Sequence, residues 1–261
     1  WFMQQPGNMI TDALLGGYIP APNSPALGNG YNVANNVDAW FDTVDYIGAF
    51  DGTTDWTVGW TVGIHPEDDL AACPSGTTEV NSLSGKLNCQ LSGDITDNIT
   101  LVAGADYVLN GRVRVGIDNA TAATLTVQPG VRIFGKSGAD FLVVTRGSKI
   151  DANGTAANPI VMTSVQDIIG SPTSAGQWGG LVLLGNAPTN KCDQNDLANC
   201  RVESEGDAGP YGGANWEDNS GVLNYVVVKH AGFEVIPDNE LNGITFAGVG
   251  AGTQCQQELV R

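Results

Sequence analysis

From residue 99 onward the chain alternates short apolar runs with turns rich in Gly and Asn, and no apolar run is long. Residues 124–133 align with 141–150 at an offset of 17, which places Leu125 over Leu142, Val127 over Val144, Gly130 over Gly147 and Ile133 over Ile150. Further short strands are predicted at 160–163, 181–184, 225–228 and 244–246. A unit of about 17–25 residues that recurs without intervening helices is the pattern of a solenoid. One such unit cannot bury its own apolar face, so stacked neighbours must supply the core. Glycine permits the tight corners where a side chain is excluded or φ is positive. A β-sandwich also uses many short strands, but alignment of successive units on one face favours a parallel coil.

The first 65 residues read differently. They are rich in Gly, Pro and Asn, with one weak helical candidate over 9–15. An aromatic cluster follows: Trp40, Phe41, Tyr46, Phe50, Trp56 and Trp60. Such a cluster either stacks on carbohydrate or plugs the end of a core poor in other large side chains, and the plug is the expected role. Residues 1–85 hold ten acids and no Lys or Arg, so all eleven basic residues lie from Lys86 onward. With the polar, Pro-broken stretch 65–69, this asymmetry predicts an irregular N-terminal segment, 1–70, and a coil region, 71–261.

Composition removes several functions. The formal charge of -17 leaves nothing to displace counterions from a nucleic acid. No apolar stretch approaches the roughly 18–20 residues of a membrane-spanning helix. Two distant histidines, His65 and His230, give a His-rich metal site or a Ser–His–Asp hydrolase few parts. A hydrophobic share of 42% argues against disorder. Cys73 with Cys89, and Cys192 with Cys200, flank polar loops at spacings suited to local disulfides and to no Cys-x-x-Cys motif; Cys255 is left over. An extracellular or outer-surface location is expected.

Residues 154–164 (Gly-Thr-Ala-Ala-Asn-Pro-Ile-Val-Met-Thr-Ser) and 176–188, which begin Gly-Gln-Trp-Gly-Gly, resemble secreted bacterial right-handed parallel β-helix proteins. The likeness continues through Glu205-Gly206, Tyr211-Gly212-Gly213, 218–221, 225–228 and 237–243, and covers 73–253. It implies an all-β, right-handed parallel β-helix at the cell surface, usually without an assigned activity. Residues 45–50 and 55–60 resemble the segment that closes the C-terminal end in that family, yet here they precede the first coil. A permuted unit, one repeat of a longer array, or part of a larger protein would each account for this. An open last coil invites a partner, and the expected partners are other copies, joined head to tail into a filament, or surface glycans.

The expected role is therefore structural or adhesive, with no catalytic residues and no required cofactor. The alternative is a carbohydrate-binding or polysaccharide-lyase-like β-helix acting on anionic glycans. Its candidate ligand residues are Arg132 and Lys149, stacked at the 17-residue offset, with Arg112 and Arg114, and Arg146 nearby. Against this, long cations also cover outer faces and pair with acids such as Asp140 and Asp151. Ca²⁺ is the cation the acidic turns would take, from Glu203, Glu205, Asp207, Glu217 and Asp218, with Asp238 and Glu240 one coil further on, or from Asp193, Asn195 and Asp196. The same residue types build solvated turns without any metal. Lys229 and His230, near Glu234, are a base-and-acid pair in form, but a strand-end His is more often structural.

Overall fold

A computed structural model describes residues 14–16, 19–28, 45–47, 50–53, 72–236, 239–257 and 259–260. The chain divides into two units, 1–68 and 69–261. In the first, strands β1 (Leu15–Gly16) and β2 (Ile19–Pro20) pair antiparallel. Leu15 is thus a strand residue where a helix was expected, and residues 9–13 of that helix lie outside the described residues. Tyr46 and Phe50 are half-buried; Trp40, Phe41, Trp56, Trp60 and the 65–69 stretch lie outside the described residues.

The second unit is a coil of short strands that stack in parallel, turn upon turn. It opens with β3 (Thr78–Val80), β4 (Leu87–Ile95), β5 (Ile99–Leu101) and β6 (Ala105–Val115). Next come β7 (Thr124–Val127), β8 (Arg132–Gly135), β9 (Phe141–Val144), β10 (Lys149–Asn153) and β11 (Ile160–Ser164). A four-residue helix α1 (Val165–Ile168) precedes β12 (Gly180–Leu184). The first stack is β5, β7, β10, β15 (Gly221–Asn224) and β20 (Gln254–Gln256), all parallel. The second runs from the start of β6 through β8 and β11 to β16 (Val226–Val228) and β21 (Leu259–Val260). The third runs from the end of β6 through β9 and β12 to β19 (Ile244–Ala247). One long strand, β6, serves two stacks because it bends at Asn110–Gly111, where Gly111 takes φ +69°. At Gly221, φ is +120° and an added Cβ would collide with the Ile150 carbonyl one coil away, so only glycine lets the strands approach.

The stacking corrects the 17-residue register. Leu125 pairs with Ile99 and Ile150, while Leu142 pairs with Val113 and Leu181. The offset of 17 superposes β7 on β9 and β8 on β10, strands two apart in the chain that belong to different stacks. A full coil is longer: Asp106 and Arg132, 26 residues apart, are register partners. The strands of one coil look alike because each sends alternate apolar residues inward and ends at a tight corner.

The lumen is filled by those inward residues, among them Tyr107, Leu109, Ile133, Leu142, Ile150 and Met162, all inaccessible to solvent. Each contributes about 1.5–3 kcal/mol by leaving water. Trp178 joins them, fully buried, with its indole N–H donating to the Lys229 carbonyl at 2.7 Å. Strands β9 and β12 are buried on both faces. Their outward residues Val143, Val182 and Leu184 form a second cluster with Ala208 and Leu241, which come from later chain excursions. Double coverage explains why these strands read as unbroken apolar runs.

At the start of the coil, β3 pairs antiparallel with β4, and the Cys73–Cys89 disulfide fastens the segment before β3 to β4. The last coil has less cover. Phe246 and Val260 continue the columns of Leu183 and Val228 but are 44% and 54% exposed.

Candidate functional site

Between β12 and β15 the chain leaves the coil for residues 185–220 and folds back over the outer face of the third stack. This excursion is short of regular structure, so it needs other fastenings. The Cys192–Cys200 disulfide closes its tip, as the spacing predicted. Strands β13 (Val202–Glu203) and β14 (Pro210–Tyr211) pair antiparallel. Arg146, projecting from the corner after β9 and 8% exposed, donates to the carbonyls of Cys200 (3.3 Å) and Gly212 (2.7 Å). Its guanidinium also grips both carboxylate oxygens of Asp118, at 2.6 and 2.8 Å, and Arg201 holds the same carboxylate at 2.8 Å. Arg112 pairs with Asp207 at 2.7 Å. A second excursion, carrying β17 (Glu234–Ile236) and β18 (Asn239–Glu240), is tied to the first by Asn239, which accepts the Gly206 N–H at 2.6 Å.

The two excursions enclose a cleft of about 340 Å³ against the coil. Val182, Thr245 and Ala247 form its floor; Tyr211 and Leu241 supply apolar wall. Lys191, Glu203, Glu205 and Glu240 stand at its rim, all exposed. Glu203 is 3.3 Å from Arg201. Among the described residues no ion pair engages Glu205, Glu240 or Lys191. Such a recess, apolar at its base and rimmed by charged side chains of which three have no ion pair among the described residues, can hold a small polar molecule.

The cations predicted to bind an anionic glycan are placed otherwise. Arg132 lies in the second stack and pairs with buried Asp106; Lys149 lies in the first, beside Thr124. They do not stack on one another. Arg114 grips Asp94 at 2.6 and 2.8 Å, and Arg112 is held by Asp207. Arg114 and Arg132 thus each neutralise an acid of the preceding coil, leaving only Lys149 of the four without an ion pair among the described residues. The acids Asp140 and Asp151 are not their partners. Buried Asp140 instead accepts backbone N–H groups from Gly111, Lys136 and Ser137.

The acidic candidates also separate. Glu203 and Glu205 reach the cleft, whereas buried Asp218 accepts from the Ser220 hydroxyl and Glu217 is exposed. Asp193 accepts the Asn195 N–H at 2.9 Å, and Asp196 accepts from Asn199, which is ordinary turn chemistry. Among the described residues no three His, Cys, Asp or Glu side chains gather as a metal site requires.

Compared with known protein families, residues 93–259 match the profile of the pectate-lyase-like beta helix domain. The chain belongs to that family. No curated protein and no solved structure matches it. Within this pectate-lyase-like β-helix, the outer face of the third stack carries the excursions.

One cluster has the ingredients of acid–base chemistry. Lys229 Nζ lies 2.5 Å from Asp167, and His230 Nε2 lies 3.8 Å from the other oxygen of that carboxylate. Burial raises the Asp167 pKa, but bonds from Lys229 and Thr163 and the charges of Lys229 and His230 outweigh it, so the net value is lowered. Lys229 is committed to an ion pair with that carboxylate, a poor arrangement for a base. Sequence reading placed His230 near Glu234 and missed Asp167. The Ser164-x-x-Asp167 spacing was a signal for it, since Ser164 caps the short helix that presents Asp167.

Proposed function

We propose that this chain is an extracellular, non-catalytic adhesive β-helix that holds a glycan in the cleft between its two excursions. The observation that carries the reading is the cleft itself: a pinned wall, an apolar floor and, at the rim, Lys191, Glu205 and Glu240 without an ion pair among the described residues. Long excursions on a rigid scaffold are where binding residues collect. The arginines a lyase would use to hold a uronate are committed to Asp94, Asp106, Asp118 and Asp207, which favours binding over cleavage. Two disulfides favour an oxidising compartment. The coil is right-handed, the hand that nearly all parallel crossover connections take. Incubation with polygalacturonate, alginate and chondroitin, with and without Ca²⁺, tests the reading. No ultraviolet-absorbing unsaturated product is expected; steady accumulation of such product overturns it in favour of a lyase.

A further inference from the structure

Resting on the cleft reading, we propose that the cleft selects a sugar bearing a free amine, a hexosamine unit, over neutral or uronic-acid sugars. Three observations lead there. First, the cleft is a mixed surface and not a row of acids. The half-buried Tyr211 ring lies against the apolar cluster of Val182 and Leu184, and offers a face on which the C–H side of a pyranose can rest. Thr189, Asn190 and Thr245 line the same space with groups that bond sugar hydroxyls.

Second, the charges at the rim discriminate. Glu205 and Glu240 come from the two different excursions, and the Gly206 N–H bond to Asn239 brings their backbones side by side, so they offer a ligand a pair of neighbouring carboxylates. Glu203 is already shared with Arg201. Lys191 is the one cation among the described residues that line the cleft, and the chain as a whole carries -17, so a uronate meets a repulsive field and an ammonium an attractive one.

Third, a bare metal ion is the poorer occupant. No group of three carboxylate, His or Cys side chains gathers among the described residues, which is too few ligands for a bare cation. An ammonium on a pyranose ring needs fewer acceptors, donating to a carboxylate while the ring hydroxyls reach the neutral polar groups of the cleft. Charge-assisted hydrogen bonds of this kind are the strong ones.

The test is calorimetric titration of the intact chain with a β-1,4-linked glucosamine tetramer, its fully N-acetylated counterpart, and a galacturonate tetramer. Three variants accompany it: Glu205→Gln with Glu240→Gln, Tyr211→Ala, and Lys149→Ala as a control away from the cleft. The glucosamine tetramer is expected to bind, and the acetylated and galacturonate tetramers at least about tenfold more weakly, the scale of losing one hydrogen bond to a charged group. The double Gln variant should lose about tenfold for the amine ligand only. Tyr211→Ala should weaken binding, and Lys149→Ala should leave it unchanged. Equal binding of the acetylated tetramer, still lost in Tyr211→Ala, overturns the amine preference and keeps the cleft. Binding unaffected by all cleft variants, or no binding of any tetramer, overturns both.

Discussion

Replacing Arg146 with alanine is expected to destabilise the coil by about 3–5 kcal/mol, the scale of removing one partner from a buried ion pair. Its guanidinium is almost wholly buried and serves four acceptors at once: both oxygens of Asp118 and the carbonyls of Cys200 and Gly212. The substitution leaves two carbonyls and one carboxylate oxygen without their donor, Arg201 still holding the other. It also unfastens the excursion from the coil, so the cover over Val182 and Leu184 loosens. Denaturant unfolding measures the first effect, and proteolysis within 186–213 measures the second.

Acid should reproduce part of this loss. Burial raises the Asp118 pKa, yet hydrogen bonds and charge from Arg146 and Arg201 outweigh it and hold the carboxyl below its ordinary value. A depressed folded-state pKa contributes stability above the unfolded value of about 4, and that contribution disappears as pH falls through the folded value. Asp167 behaves in the same sense. Stability should therefore fall as pH drops below about 4, and the Arg146→Ala variant should show a shallower fall. A variant with the wild-type acid slope would show that Asp118 is not held by Arg146.

Trp178→Ala is the second large effect, with an expected cost of about 3–5 kcal/mol. Trp178 is the bulkiest fully buried side chain among the described residues and belongs to the apolar cluster that fills the lumen, so its truncation leaves a cavity there. Its indole N–H also satisfies the Lys229 carbonyl, at the corner that carries Lys229 and His230. Trp216, 66% exposed, is the matched control, and Trp216→Ala should change stability by no more than about 0.5 kcal/mol. Equal losses at both positions would mean that the lumen is not the main source of stability.

The strands were legible because their signal is local. Val226 and Val228 face the lumen whatever lies above them, and alternation within one strand reveals that. Both disulfides were legible for a similar reason, since each closes a nearby loop. Register was not legible, because Leu125 resembles Leu142 as much as its true partner Ile150. The arginine ladder was hidden too: the partner of Arg132 lies a coil away at Asp106, and the partner of Arg112 lies in an excursion. Glu203 and Glu205 stood out because they are acids close together in sequence. Tyr211 did not stand out as a site residue, since a two-residue strand fixed by distant contacts brings it to the cleft, and Glu240 stood out only as a cation ligand beside Asp238, which lies outside the described residues.

Hydrogen–deuterium exchange of the intact chain, with and without the glucosamine tetramer, tests the central claim most directly. Bound ligand should slow exchange within 189–191, 203–211 and 240–248, the segments that line the cleft, and leave the rest unchanged. Protection centred on Arg112, Arg132 and Lys149, or none at all under saturating ligand, would contradict it.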